Sequence, residues 1–196
     1  LFVLLMCYAF CLPKELFTKP TSTVITSNND VLLGALIAKD GQWRFPHNDD
    51  VPKKFKTCLI QFEDAHFYKH PGFNPVSIFN AFKQNLQART VKRGGSTITQ
   101  QVIRLSRDNR SRTYFEKLKE LVLSTRLEFR VSKEKILAFW SSNAPFGGNV
   151  VGLDAASWRY FNRKATDLSW AESATLAVLP NAAMRARIRA FKVATR

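Results

Sequence analysis

Three stretches of the chain bring together residue types that could do chemistry. The first begins at Glu63 and runs through Asp64, His66, Phe67, Tyr68, Lys69 and His70 to Gly72. Glu63 closes a segment in which Phe55, Leu59 and Phe62 recur at helical spacing after Pro52, a favourable first-turn residue. A carboxylate at the end of a helix with an apolar face sits near a low-dielectric surface. Burial of this kind raises a carboxylate pKa in general and suits the group to proton transfer. The same pattern also reads as a solvated helix end, with Glu63 paired to Lys69 or His70. Asp64 is adjacent in sequence and cannot share the face of Glu63. The second stretch is Arg93 to Gln101, two glycines running into Ser96, Thr97, Ile98, Thr99, Gln100 and Gln101. Free backbone N–H groups at a helix start bind phosphate or pyrophosphate oxygens, and Lys92, Arg93 and Arg104 flank this one. Ser96 as an ordinary N-cap is the simpler reading. The third stretch is a helical run from Tyr114 to Arg130, where Glu120, Ser124 and Glu128 fall one turn apart on one face, among Lys117, Lys119 and Arg126. That face is either a carboxylate site or a solvated surface laced with helix salt bridges.

The charge pattern narrows the partners. The chain has 30 Lys and Arg against 15 Asp and Glu, a formal net charge of +15. Between Lys83 and Lys135 there are 14 basic residues and 5 acidic ones. Such an excess suits a polyanion: nucleic acid, an anionic membrane surface or a phosphorylated substrate. No Walker loop, dinucleotide fingerprint, zinc spacing or serine nucleophile elbow is present. Cys7, Cys11 and Cys58 lack a disulfide or metal pattern and read as small buried apolar side chains.

The elements that would position these residues make a mainly α chain behind a small N-terminal β element. Leu1 to Leu12 is uncharged. Twelve helical residues span only about 18 Å, short of a hydrocarbon core of ~30 Å. The segment reads as the end of a transmembrane anchor, with a buried core helix as the alternative. Residues 13–45 read as an extended or β linker, with polar Ser27 to Asp30 between apolar runs and a tight turn at Asp40-Gly41 before Trp43 and Phe45. Residues 46–183 form the main domain. Its further helices are expected from Asn74-Pro75 (apolar stripe Ile78, Phe79, Phe82, Leu86), over Thr97 to Leu105, over Tyr114 to Arg130, and after Ser132, with Ile136, Leu137 and Trp140 on a face. Ser106 to Thr113 is a candidate loop, and Pro145 to Gly148 a turn. Gly152 to Phe161 is a short helix, and Ser169 with Glu172 is a capping box that opens a helix ending at Pro180. Residues 184–196 are a basic tail.

Five of these stretches, taken in order, resemble the five motifs of the peptidoglycan glycosyltransferases, glycosyltransferase family 51. They are Glu63 to Gly72, Gly94 to Gln101, Glu116 to Glu120, Lys133 to Ser142 and Gly152 to Phe161, about half of the chain. Asp40 to Arg44, Arg104 and Ala144 to Gly148 are similar to the glycosyltransferase domain of class A penicillin-binding proteins of the C subtype. The resemblance implies a lysozyme-like, mostly helical fold with a membrane-embedded lobe. It implies inverting transfer of the growing glycan from undecaprenyl pyrophosphate to the 4-hydroxyl of incoming lipid II. Carried over by motif, Glu63 is the general base on that hydroxyl, and Glu120 is a second carboxylate on the pyrophosphate side, with a divalent cation (Mg or Mn) as a possible cofactor. Asp64, Phe67 and His70 support the first site. Ser96, Thr97, Gln100, Gln101, Arg104 and Lys117 line the donor and pyrophosphate region. The implied setting is the bacterial inner membrane, with the catalytic domain on the periplasmic or extracellular side. The partners would be lipid II, the glycan strand, membrane lipids and a cell-wall synthesis complex, with no nucleic acid. An inactive lipid II-binding relic and a lysozyme-like glycan hydrolase are the alternatives. The chain departs from the family pattern at Glu116, where arginine is usual, at Trp140-Ser141-Ser142 in place of Tyr-Leu-Asn, and after Pro180.

Overall fold

The computed structural model describes residues 2–75, 95–108 and 113–180. In chain order its elements are α1 (Phe2–Phe10), β1 (Thr23–Thr26), β2 (Leu32–Leu36), β3 (Trp43–Arg44), α2 (Lys53–Glu63) and a 3-10 turn at Phe67–Lys69. Then come α3 (Ile98–Ser106), α4 (Tyr114–Glu128), α5 (Lys133–Asn143), β4 (Pro145–Gly147), β5 (Val150–Val151) and α6 (Leu153–Phe161), and residues 170–180 are helical. The expected stripe at Ile78 to Leu86, the Lys92 to Gly94 approach and the basic tail lie outside the described residues. The chain divides into two compact units that alternate along the sequence: residues 1–18 with 63–136, and residues 19–62 with 137–196.

The first unit holds α3 and α4. Thr97 caps α3, its hydroxyl accepting the Gln100 N–H, and Ile98, Val102 and Ile103 are fully buried. The cap is therefore one residue later than the Ser96 expected from sequence, and Ser96 is left for other partners. Thr113 caps α4, accepting from Glu116 N–H. This helix is turned inside out relative to its sequence pattern. Phe115, Leu118, Val122 and Phe129 are exposed, whereas Glu120, Ser124 and Leu127 are buried. The reading of Glu120, Ser124 and Glu128 as a solvated face is thereby overturned: Arg104 and Lys133 reach that face from other elements, beside Lys117 of α4 itself. Along α1, Phe2, Val3, Leu5 and Phe10 are exposed, and so are Cys7 and Cys11, against the expectation of buried thiols. Arg126 donates through Nε and Nη2 to Ala9 O (3.1 and 3.0 Å), and Arg130 donates to Pro13 O and Lys14 O. The Arg126 guanidinium thereby satisfies a carbonyl that the end of α1 leaves unpaired, and Arg130 holds the chain just beyond it. No described helix is long and apolar enough to cross a membrane.

The second unit is built around Phe55, Trp140 and Phe146, fully buried or nearly so, whose ring centroids lie 6.3–6.4 Å apart. β1 and β2 form an antiparallel hairpin. β3 joins neither. It pairs in parallel with β5, in a three-stranded sheet of order β3-β5-β4. Pro145 to Gly148, expected as a simple turn, thus includes a strand, and the segment ending at residue 45 is stitched to residues more than a hundred positions on. Gly152 precedes α6 at φ 90, where an added Cβ would meet Ser142 O at 2.8 Å. The capping box forms as expected, with Ser169 N–H donating to Glu172 (2.7 Å) and Glu172 N–H to Ser169 Oγ (3.2 Å).

Candidate active site

The candidate site is built within the first unit. Glu63 is the last residue of α2, half-buried, and its Oε2 accepts the Gln101 side-chain amide at 2.7 Å. His70 instead turns to Asp64, its Nε2 lying 3.0 Å from both carboxylate oxygens, with each side chain only 5% exposed. Asp64 Oδ2 also accepts the Ile98 N–H at 3.1 Å, a charge-assisted bond at the positive end of α3. Thr97 Oγ1 donates to Gly72 O at 2.6 Å. Gly72 lies at φ 91, and a Cβ there would stand 2.8 Å from the Ser124 backbone. Only glycine allows this loop to press so closely on α4. Phe67 is fully buried.

One turn along α3, the arrangement changes from amide to cation. Arg104 grips Glu120 through Nε (2.9 Å) and Nη2 (3.3 Å), a two-point pair with side chains 8% and 9% exposed. Lys117 reaches the same carboxylate at 3.5 Å and donates to Ser96 Oγ and Gln100 Oε1, both at 2.8 Å. Arg104 also donates to Ser96 Oγ at 3.2 Å. Ser96, expected to cap the helix, is thus the hydroxyl shared by two cations. Gln100 is wholly buried, and among the described residues its Nε2 has no hydrogen-bond partner. The free helix start expected to bind an anion is not there at Ile98 and Gln100, because Asp64 and Thr97 take those two N–H groups. The cationic groups beside this helix start are the side chains of Arg104 and Lys117.

A model of the family described as Transglycosylase matches residues 30–195. The chain belongs to that family. It is 39% identical to penicillin-binding protein 1C of Escherichia coli over 176 residues, 89% of this chain and 23% of the relative. It is 33% identical to penicillin-binding protein 1F of Bacillus subtilis over 170 residues, 86% of this chain and 23% of the relative. It is 32% identical to the biosynthetic peptidoglycan transglycosylase of Ralstonia nicotianae over 164 residues, 83% of this chain and 70% of the relative. The chain spans about a quarter of the length of the two penicillin-binding proteins. A mostly helical chain with a small β element agrees with a transglycosylase domain.

The candidate site also holds two residues to which the motifs carried over no role, Glu128 and Lys133. Glu128 accepts the Thr99 hydroxyl (2.5 Å) and the Lys133 ammonium (2.8 Å) at one oxygen. Lys133 also donates to His70 O at 2.8 Å and stands 4.3 Å above the Phe67 ring centroid. The signals were there, since Glu128 shares the Glu120 face and Lys133 opens the fourth motif. Nothing in the sequence said that the face was buried. The unusual Glu116 is accommodated. It lies in the first turn of α4, where a negative charge suits the helix dipole, and its carboxylate is 2.7 Å from Arg107. Ser142 keeps a place through weak contacts to Asn48 N (3.3 Å) and O (3.4 Å).

Proposed function

We propose that this transglycosylase domain polymerises lipid II, transferring the growing glycan with inversion from undecaprenyl pyrophosphate to the 4-hydroxyl of an incoming lipid II. The lysozyme-like fold of the resembling family goes with this reading. The observation that carries it is the unlike company of two carboxylates held by one short helix. From α3, Gln101 offers Glu63 a neutral amide, and three residues on Arg104 offers Glu120 a guanidinium, with Lys117 beside it. The amide orients Glu63 without neutralising it, which suits a general base on the acceptor hydroxyl. Glu120 is instead paired to two cations. It fixes Arg104 and Lys117 where charge develops on the departing pyrophosphate, a good leaving group that needs electrostatic help more than a strong acid.

A divalent cation at Glu120 does not fit this donor set. Arg104 and Lys117 already neutralise the carboxylate, and among the described residues no three His, Cys, Asp or Glu side chains converge. The exposed apolar residues of α1 and α4 support a membrane-surface setting, the outer face of a bacterial inner membrane, where lipid II and a cell-wall synthesis complex would be met. The test is incubation of the detergent-solubilised protein with labelled lipid II and sizing of the product. Long polymer is expected. A folded protein that binds lipid II and makes none would leave only the binding reading standing.

A further inference from the structure

We infer that Lys133 and Glu128 are positioning residues for the Asp64–His70 pair, and through it for Glu63. The inference rests on the polymerase reading above, but its geometry stands apart from it. The loop from Asp64 to Gly72 has no long element of its own, only the 3-10 turn Phe67–Lys69. Its place is set by what grips it. At one end, Thr97 holds Gly72 O, and the missing Cβ of Gly72 lets the loop lie against Ser124, with Glu128 Cγ 3.1 Å from where that Cβ would be. Midway, the Lys133 ammonium holds His70 O at 2.8 Å and covers the ring of Phe67 at 4.3 Å. Lys133 is itself held by Glu128 at 2.8 Å, and Glu128 by the Thr99 hydroxyl at 2.5 Å. The Glu128 side chain is 9% exposed and that of Lys133 18%. An ion pair so enclosed is costly to form and specifies geometry more than it adds stability.

The consequence runs back to the base in three contacts. His70 meets both oxygens of Asp64 through Nε2, and Asp64 in turn holds the Ile98 N–H at the start of α3. That helix carries Gln101, whose amide orients Glu63. If Lys133 releases His70 O, the imidazole loses its fixed approach to Asp64, and the first turn of α3 loses its anchor. Displacing a catalytic group by ~1 Å costs about a hundredfold in rate, so the loss belongs in kcat, with lipid II binding little changed. Among the described residues His70 Nδ1 is buried without a hydrogen-bond partner, and Nε2, which faces the Asp64 carboxylate, is the donor.

The experiment is Lys133→Met and Lys133→Arg in the full chain, read by kinetics on lipid II and by the 15N spectrum of the His70 imidazole, assigned against His70→Gln. Lys133→Met should lower kcat by about a hundredfold with KM within about twofold. It should also convert a single Nε2–H tautomer at His70 into a mixture. Lys133→Arg, which keeps the cation, should recover at least a tenth of kcat and the single tautomer. Glu128→Gln keeps an acceptor for Thr99 and Lys133 and should behave as Lys133→Arg does. A folded Lys133→Met with kcat within about threefold of wild type, or with an unchanged His70 spectrum, overturns the inference. If wild type makes no polymer, the polymerase reading falls, while the tautomer comparison still decides the positioning role.

Discussion

Replacing Arg104 with methionine separates a charge-holding role from simple packing. Glu120 is 9% exposed at its side chain and receives both of its short bonds from Arg104, at 2.9 and 3.3 Å, with Lys117 farther off at 3.5 Å. Removing one partner of a buried pair strands the other charge and costs about 3–5 kcal/mol. Lys117 can close on the vacated carboxylate, which places the expected cost near the lower end, about 3 kcal/mol. For a domain of this size, 1 kcal/mol moves Tm by about 2–4 °C, so the variant should melt roughly 6–12 °C below wild type. Arg104→Met/Glu120→Leu removes both charges and fills part of the space. It should return to within about 1 kcal/mol of wild type while polymerisation stays lost, because the leaving group then lacks a cation and the carboxylate that orients Lys117. Urea unfolding followed by circular dichroism gives the stabilities, and product sizing on lipid II gives the activity. An Arg104→Met variant that loses under about 1 kcal/mol, or a double variant no more stable than the single one, would refute the reasoning.

Three further outcomes are expected. Gly72→Ala should cost at least about 2 kcal/mol, from positive φ and from a Cβ 2.8 Å from Ser124 backbone atoms, measured by urea unfolding; an effect under about 0.5 kcal/mol would show that the loop does not press on α4 as described. Thr97→Ala should lower stability by about 1–2 kcal/mol, since the hydroxyl both caps α3 and holds Gly72 O; a neutral effect would remove the cap from the account. Burial raises Asp154 from its ordinary value of 3.8, against the lowering effect of the Asn48 amide. The folded state therefore keeps that proton longer than the unfolded chain, and stability falls as pH rises from the unfolded to the folded pKa. Asp154→Asn should abolish this fall, so its stability relative to wild type should grow between pH 3.5 and neutrality, as read by thermal unfolding at a series of pH values. A difference that stays flat with pH would contradict the burial.

Much of the helix plan could be read from local pattern. Phe55, Leu59 and Phe62 mark α2 up to Glu63, Ser169 and Glu172 mark the last capping box, and Tyr114 to Arg130 has the length and propensity of a helix. The order of the five motifs along the chain is itself enough to indicate the family. What local pattern missed was set by distant partners. Glu120 among lysines reads as a solvated helix face, because the guanidinium that buries it comes from Arg104 on another element. Ser96 and Thr97 are both good caps, and the choice of Thr97 follows from Ser96 being wanted by Arg104 and Lys117. Trp43–Arg44 pairs with Val150–Val151, a contact no window of neighbouring residues contains. The apolar face of α4 misled for the opposite reason: apolar periodicity says which residues share a face and leaves open whether that face meets protein.

Glu63→Gln tests the central claim most directly. The substitution keeps size and an oxygen for the Gln101 amide but removes the basic carboxylate. The purified variant and wild type should be given labelled lipid II side by side, with folding checked by circular dichroism. Polymer from wild type and a loss of at least a hundredfold in the variant, with lipid II still bound, is the predicted result. Polymerisation by Glu63→Gln at the wild-type rate would contradict it and remove Glu63 as the base.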